Sequence, residues 1–155
     1  MEAWALTVSM VVAVVAIVAA AITFFQLRAV REANKAAAKA TELSELLAVV
    51  TFLEAPENYA ARYATYELSK KPFGDWDDEM RAAGARASGL WEVVAGLVEV
   101  ASFSDDAFLH LYRYPIRRQW AILEPQIREM QVHERHQRKK FETLAAKAVS
   151  VIANT

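Results

Sequence analysis

The chain has 155 residues, 55% of them hydrophobic, with 18 lysines and arginines against 19 aspartates and glutamates, a net charge of −1. So small a charge gives no global attraction to nucleic acid, and any such contact has to be local. Cysteine is absent, which excludes disulfides, thiol catalysis and cysteine-ligated metals, and the length beyond the first segment suits one small domain rather than two.

The chain opens on AWALTVSMVVAVVAIVAAAITFF, Ala3 to Phe25, and no charge occurs between Glu2 and Arg28. As a helix that run spans roughly 35 Å, enough to cross a hydrocarbon core with some tilt. Met1-Glu2 stands where a signal peptide carries basic residues, and Thr7, Ser9 and Thr23 are the only polar positions within Ala3–Phe25, so the run reads as an anchor rather than a signal or a core helix. Arg28, Arg31, Lys35 and Lys39 follow it, and cationic flanks stay on the cytoplasmic side. The expectation is a single-pass protein of the cell membrane, N-terminus outside and C-terminal domain inside. Trp4 and the Phe24-Phe25 pair would sit at the two headgroup levels. Ser9, Ala13, Ala16 and Ala20 form a small-residue ridge of the kind that lets membrane helices approach one another.

Between Phe25 and Pro56 there is neither glycine nor proline, so the anchor (1–27) should continue as helix into a cytoplasmic extension (28–55). Along it Ala29, Ala33, Ala36, Ala40, Leu43, Leu47 and Val50 alternate spacings of four and three, a heptad seam that accepts another helix closely. That helix is either one of the chain's own later ones or the same seam in a second copy. Residues 56–155 should form a helical bundle packed on the extension.

Pro56 suits the first turn of a helix from Glu57 to Lys70, with Tyr59, Tyr63 and Tyr66 read as a core edge with hydroxyls at its rim. Asp75 is placed to cap a third helix from Trp76 to about Ala101, whose stripe Met80, Ala83, Ala87, Leu90, Trp91, Val94, Leu97, Val98 and Ala101 has helical spacing. A short helix from Asp105 to about Tyr112 follows. Tyr114-Pro115 reads as an interruption and Pro125 as a kink or fresh start. The tail from Gln131 to Ala153 closes with Phe141, Leu144, Ala145, Ala148, Val149 and Ile152 on its apolar face. No stretch alternates with period two, so the fold class is all-α.

The stretch GLWEVVAGLVEVASFSDDAFLHLYRYPIRRQWAILEPQI, with FETLAAKA after it and ENYAARYATYEL before it, resembles an uncharacterised bacterial family of domains of unknown function. The matching positions are Glu57, Arg62, Tyr63 and Tyr66, then Trp120, Leu123, Pro125 and Ile127, within roughly residues 43–146. The resemblance implies one N-terminal membrane helix and a small helical cytoplasmic region. It carries no activity.

Residues suited to catalysis are sparse. The four glycines, Gly74, Gly84, Gly89 and Gly96, form neither a P-loop nor a dinucleotide fingerprint. Glu129, His133 and His136 could share a helix face and suit zinc or iron, yet Arg135, Arg138, Lys139 and Lys140 crowd them and repel a dication. The clearer signal is charge polarity. From Leu111 to Lys140, eight cations (Arg113, Arg117, Arg118, Arg128, Arg135, Arg138, Lys139, Lys140) meet three glutamates, whereas from Glu54 to His110 eleven acids meet five bases. The basic half, with Arg28 and Arg31, would contact anionic headgroups or a partner, or else neutralise the acidic half.

These readings converge on a non-catalytic membrane protein, a scaffold, accessory or regulatory subunit. Its partners would be membrane lipids and other subunits or itself, with no nucleic acid, small-molecule substrate, cofactor or metal. The alternative is a membrane effector of stress or phage defence that oligomerises in the bilayer.

Overall fold

The computed structural model describes residues 2–153, and side chains from residue 19 to residue 150. Among them every element is helical and no strand occurs: α1 (Glu2–Glu54), α2 (Pro56–Leu68), a 3₁₀ turn (Phe73–Asp75), α3 (Asp78–Val100), α4 (Asp105–His133) and α5 (Lys139–Ala153). The chain divides into two units, one ending at Thr41 and the other starting at Glu42.

In the first unit the described side chains, from Ala19 to Thr41, are all exposed, Ile22, Phe24, Phe25, Leu27 and Val30 among them. Thr23 and Thr41 donate their hydroxyls back to Ala19 O and Ala37 O, at 2.9 and 3.1 Å. This is how a threonine satisfies itself inside a helix without a tertiary partner.

The second unit is built around α3, which packs against α2, α4 and α5. Its buried residues Gly84, Ala87, Ser88, Trp91, Val94, Ala95 and Val98 recur every three or four positions, the period that keeps one helix face turned inward. The last turns of α1 add Leu46, Val49, Val50 and Leu53 to this core, and α5 adds Phe141, Leu144, Ala145 and Ala148. Val149 faces solvent, and Ile152 lies outside the described side chains. Trp91 stacks on Phe141 at 5.8 Å between centroids, and Trp120 meets the same ring edge-on at 5.2 Å.

Three boundaries differ from the sequence expectation. Neither Pro115 nor Pro125 ends a helix: both lie inside α4. A mid-helix proline costs about 3 kcal/mol by removing the bond to the carbonyl four residues back. Here those carbonyls belong to Leu111 and Ala121, both exposed to water, while Phe108, Tyr112, Ile116, Gln119, Leu123 and Ile127 form an unbroken buried stripe on the other side. Helix α3 starts at Asp78, capped by Asp77 accepting Met80 N–H at 2.9 Å, rather than at Trp76 with Asp75 as cap. The buried Trp76 ring packs on Phe73 at 5.1 Å and its indole N–H donates to Lys71 O at 3.2 Å, which holds residue 76 extended and delays the helix. Finally, the tail Gln131–Ala153 is not of one piece: α4 runs on to His133 and α5 begins at Lys139. Arg138 adopts a left-handed φ of 57°, held by donation to Ser88 Oγ at 3.1 Å and Ala85 O at 3.3 Å.

At Gly84 the side chains of Gln126 on α4 and of Trp76 close over α3. A Cβ there would stand 2.1 Å from Gln126 Oε1 and 3.0 Å from the Trp76 ring. Gly84→Ala therefore displaces Gln126, which donates to Arg81 O at 2.7 Å, and this offsets the roughly 1 kcal/mol that alanine gains over glycine in a helix. In a Gln126→Ala background only the 3.0 Å approach to the Trp76 ring remains, so the same substitution should cost less there than in the parent chain, a difference measurable by urea unfolding of the four variants.

Candidate interaction surfaces

The polar interior of the second unit holds α1, α2 and α4 in register. Helix α1 ends at Glu54, and its terminal carbonyls are capped from α2: Asn58 donates to Phe52 O at 2.7 Å and Arg62 to Leu53 O at 3.0 Å. Arg62, its side chain only 10% exposed, also pairs with Glu54 at 2.9 Å. The Tyr112 hydroxyl donates to the same carboxylate at 3.0 Å. Gln119 donates to Arg62 O and accepts from the Trp91 indole, both at 2.8 Å. Burial, with the Glu54 carboxylate accepting its proton, pushes the Tyr112 phenol up to about 12. These side chains serve to fix α2 against α4.

What that fixing presents outward is a row of tyrosines. Tyr59, Tyr63 and Tyr66 are four and three residues apart on one face of α2, and Tyr59 and Tyr63 remain 52% and 57% exposed. Tyr59 stacks on Tyr63 at 6.3 Å, which meets Tyr66 edge-on at 5.9 Å. Arg118 of α4 lies 4.3 Å over the Tyr66 ring, and Arg113 lies 5.0 Å over Tyr114. Among the described residues Arg113, Arg117 and Arg118 form no salt bridge. The sequence places these tyrosines at a core edge; the structure leaves two of them, Tyr59 and Tyr63, more than half exposed. Four-three spacing shows a shared face but not which side of it the core occupies.

The remaining cations of the basic segment are mostly engaged. Lys139 and Arg128 pair with Glu142, both at 2.8 Å, Arg128 also with Glu124 at 3.1 Å, and Lys140 with Glu99 at 2.6 Å. Arg138 is occupied by Ser88 and Ala85, while Arg135 is exposed with no salt bridge among the described residues. Glu92 accepts the backbone N–H groups of Lys140 and Phe141 at 3.2 and 2.8 Å, capping α5. Among these pairs only Lys140–Glu99 joins the basic segment to the acidic half; Arg128 and Lys139 are held by Glu124 and Glu142, which lie within or just after the basic segment itself. The hydrogen bond from Lys139, then that from Arg128, hold the Glu142 carboxyl at about 2 rather than 4.5. A depressed carboxyl adds stability that is complete above 4.5 and lost as pH falls toward 2. Glu142→Gln should flatten the stability-versus-pH curve between pH 4.5 and 2, read by urea midpoints.

A cleft of about 150 Å³ beside α5 is lined by Val98, Glu99, Asp105, Lys140, Thr143 and Lys147, among others. Its charges are spent on the Lys140–Glu99 and Lys147–Asp105 pairs. Glu129 is paired with Arg81 at 2.7 Å, His133 and His136 are exposed, and among the described residues no cluster suited to a metal forms.

On α1, Leu43 and Leu47 stand 53% and 63% exposed, Ala29, Ala33, Ala36 and Ala40 are exposed and only Val50 reaches the core. The core-facing set is instead Leu46, Val49, Val50 and Leu53, so Leu43 and Leu47 do not pack on the chain's own later helices. Of the anchor positions, Ala20, Phe24 and Phe25 are exposed, and Trp4, Ala13 and Ala16 lie outside the described side chains. Among the described residues no helix is long and apolar enough to cross a membrane; the side chains of the run Ala3–Phe25 are described only from Ala19.

Residues 10–148 match a family model described as a domain of unknown function, DUF4760, and the chain belongs to that family. No curated protein and no solved structure matches it.

Proposed function

We propose that this DUF4760 member is a non-catalytic, single-pass membrane protein whose helical domain associates with other protein subunits or with itself, as a scaffold, accessory or regulatory subunit of a membrane assembly. The observation that carries the reading is the opening run, uncharged from Ala3 to Leu27 and followed by Arg28, Arg31, Lys35 and Lys39, the pattern of an anchor with its domain on the cytoplasmic side. Support for association comes from the second unit, which exposes Tyr59, Tyr63 and Tyr114, the last under Arg113, residue types enriched at interface hot spots. Leu43 and Leu47 add an exposed apolar row on α1.

The test is chemical cross-linking in native membranes followed by native mass spectrometry in mild detergent. The reading expects the chain in dimers or larger assemblies, alone or with other proteins. Bare monomer, with no cross-linked protein, overturns it.

A further inference from the structure

In the first unit α1 carries a collar of apolar side chains followed directly by cations. Ile22, Phe24, Phe25 and Leu27 are all exposed, and Arg28 and Arg31 occupy the next turn. Thr23, the polar residue within the collar, spends its hydroxyl on Ala19 O at 2.9 Å and so makes no demand on the surroundings. One shallow groove joins the two bands: it is lined by Phe24, Leu27, Arg28, Arg31, Glu32 and Lys35. Three cations there stand against one acid, and Glu32 is held only loosely by Lys35, at 3.7 Å, with both side chains exposed. Among the described residues Arg28 and Arg31 form no salt bridge.

A lipid surface offers the matching chemistries in the same order, acyl chain and then phosphate. With the collar against the acyl chains, the next turn of helix lies in a headgroup layer about 5–7 Å deep. From Arg28 to Arg31 α1 rises roughly 4.5 Å, so both guanidinium groups fall within that one layer. Side chains on a helix lean toward its N-terminus, which brings Lys35 back toward the same level. We propose that this groove holds the phosphate of an anionic phospholipid of the cytoplasmic leaflet, Arg28 and Arg31 donating to its oxygens and Phe24 and Leu27 lying along its acyl chains. The proposal rests on the bilayer reading of the opening run and names the lipid class met there. Guanidinium forks suit phosphate oxygens, and a zwitterionic headgroup, which brings its own cation, gains less from them.

The test uses the full chain in mild detergent, mixed with phosphatidylglycerol or with phosphatidylcholine. Bound lipid is read by native mass spectrometry and folding by circular dichroism. The parent chain should retain phosphatidylglycerol in preference to phosphatidylcholine. R28Q/R31Q should weaken phosphatidylglycerol binding about ten-fold and E32Q should strengthen it, whereas K39Q, outside the groove lining, should change it little. Equal retention of the two lipids, or a loss in K39Q as large as that in R28Q/R31Q, overturns the proposal; a chain that still stays with the membrane pellet leaves the bilayer reading standing. A chain released from membranes by an alkaline wash refutes both. Loss of a protein cross-link in membranes by R28Q/R31Q, with the lipid preference unchanged, assigns the face to a partner subunit and also overturns it.

Discussion

Truncating Trp91 to alanine should lower the melting temperature of the helical domain by roughly 10–20 °C, the largest effect expected of a single substitution. Trp91 is fully buried in α3 and is the largest of the side chains removed completely from solvent. Emptying such a site costs about 3–5 kcal/mol through lost transfer energy and residual cavity. Its ring is also stacked on Phe141, so one of the contacts joining α3 to α5 goes with it. The indole N–H donates to Gln119 Oε1, and losing that donor orphans a buried amide, a further cost on the order of 1–3 kcal/mol if no water replaces it. Trp91→Phe separates these contributions: it keeps an aromatic face for Phe141 and loses only the donor and part of the volume, so its shift should be less than half as large. Thermal unfolding followed at 222 nm reads both. A shift for Trp91→Ala below about 5 °C would mean that the Glu92 cap and the Lys140–Glu99 pair, not the ring stack, hold α5 on α3.

Arg62→Ala should destabilise by about 2–4 kcal/mol, measured as the change in urea unfolding free energy. The guanidinium closes the end of α1 through Leu53 O and holds Glu54, which in turn accepts from Tyr112. Its removal leaves a buried carbonyl and a partly exposed carboxylate without their cation. Arg62→Lys should recover only part of the loss, since its ammonium sits on a shorter side chain and has to reach the point from which the single Nη2 group donates to both acceptors. Glu54→Gln should cost well under 1 kcal/mol, because that carboxylate is nearly half exposed and solvent screens the pair. Equal losses for Arg62→Ala and Glu54→Gln would show that the ion pair, not the helix cap, is the larger contribution.

The helical class was legible because no segment alternates with period two, and the stripes on α3 and α5 fell almost where their spacing put them. The prolines were harder. Whether Pro115 or Pro125 breaks a helix depends on whether the deprived carbonyl can reach water and whether the opposite face is buried, and both are properties of the assembled bundle. On α1 two interleaved stripes, Leu43/Leu47/Val50 and Leu46/Val49/Leu53, satisfy helical periodicity equally well. Only packing against the later helices selects the second. Arg62 entered the sequence reading only as a position of the family resemblance, and its role became visible only with the end of α1 beside it. The basic segment was readable as a local excess, but which cations remain unpaired depends on α3 and α5 supplying Glu99 and Glu142.

The claim on which the functional account turns is that the first segment lies in a bilayer with the helical domain on the cytoplasmic side. Because the chain has no cysteine, single cysteines placed at Glu2 and at Arg135 give two clean reporters. In intact cells a membrane-impermeant maleimide should label the first and reach the second only after permeabilisation, and both chains should stay with the membrane pellet through an alkaline wash. A chain recovered in the wash supernatant, or labelled at Arg135 in intact cells, would contradict the account.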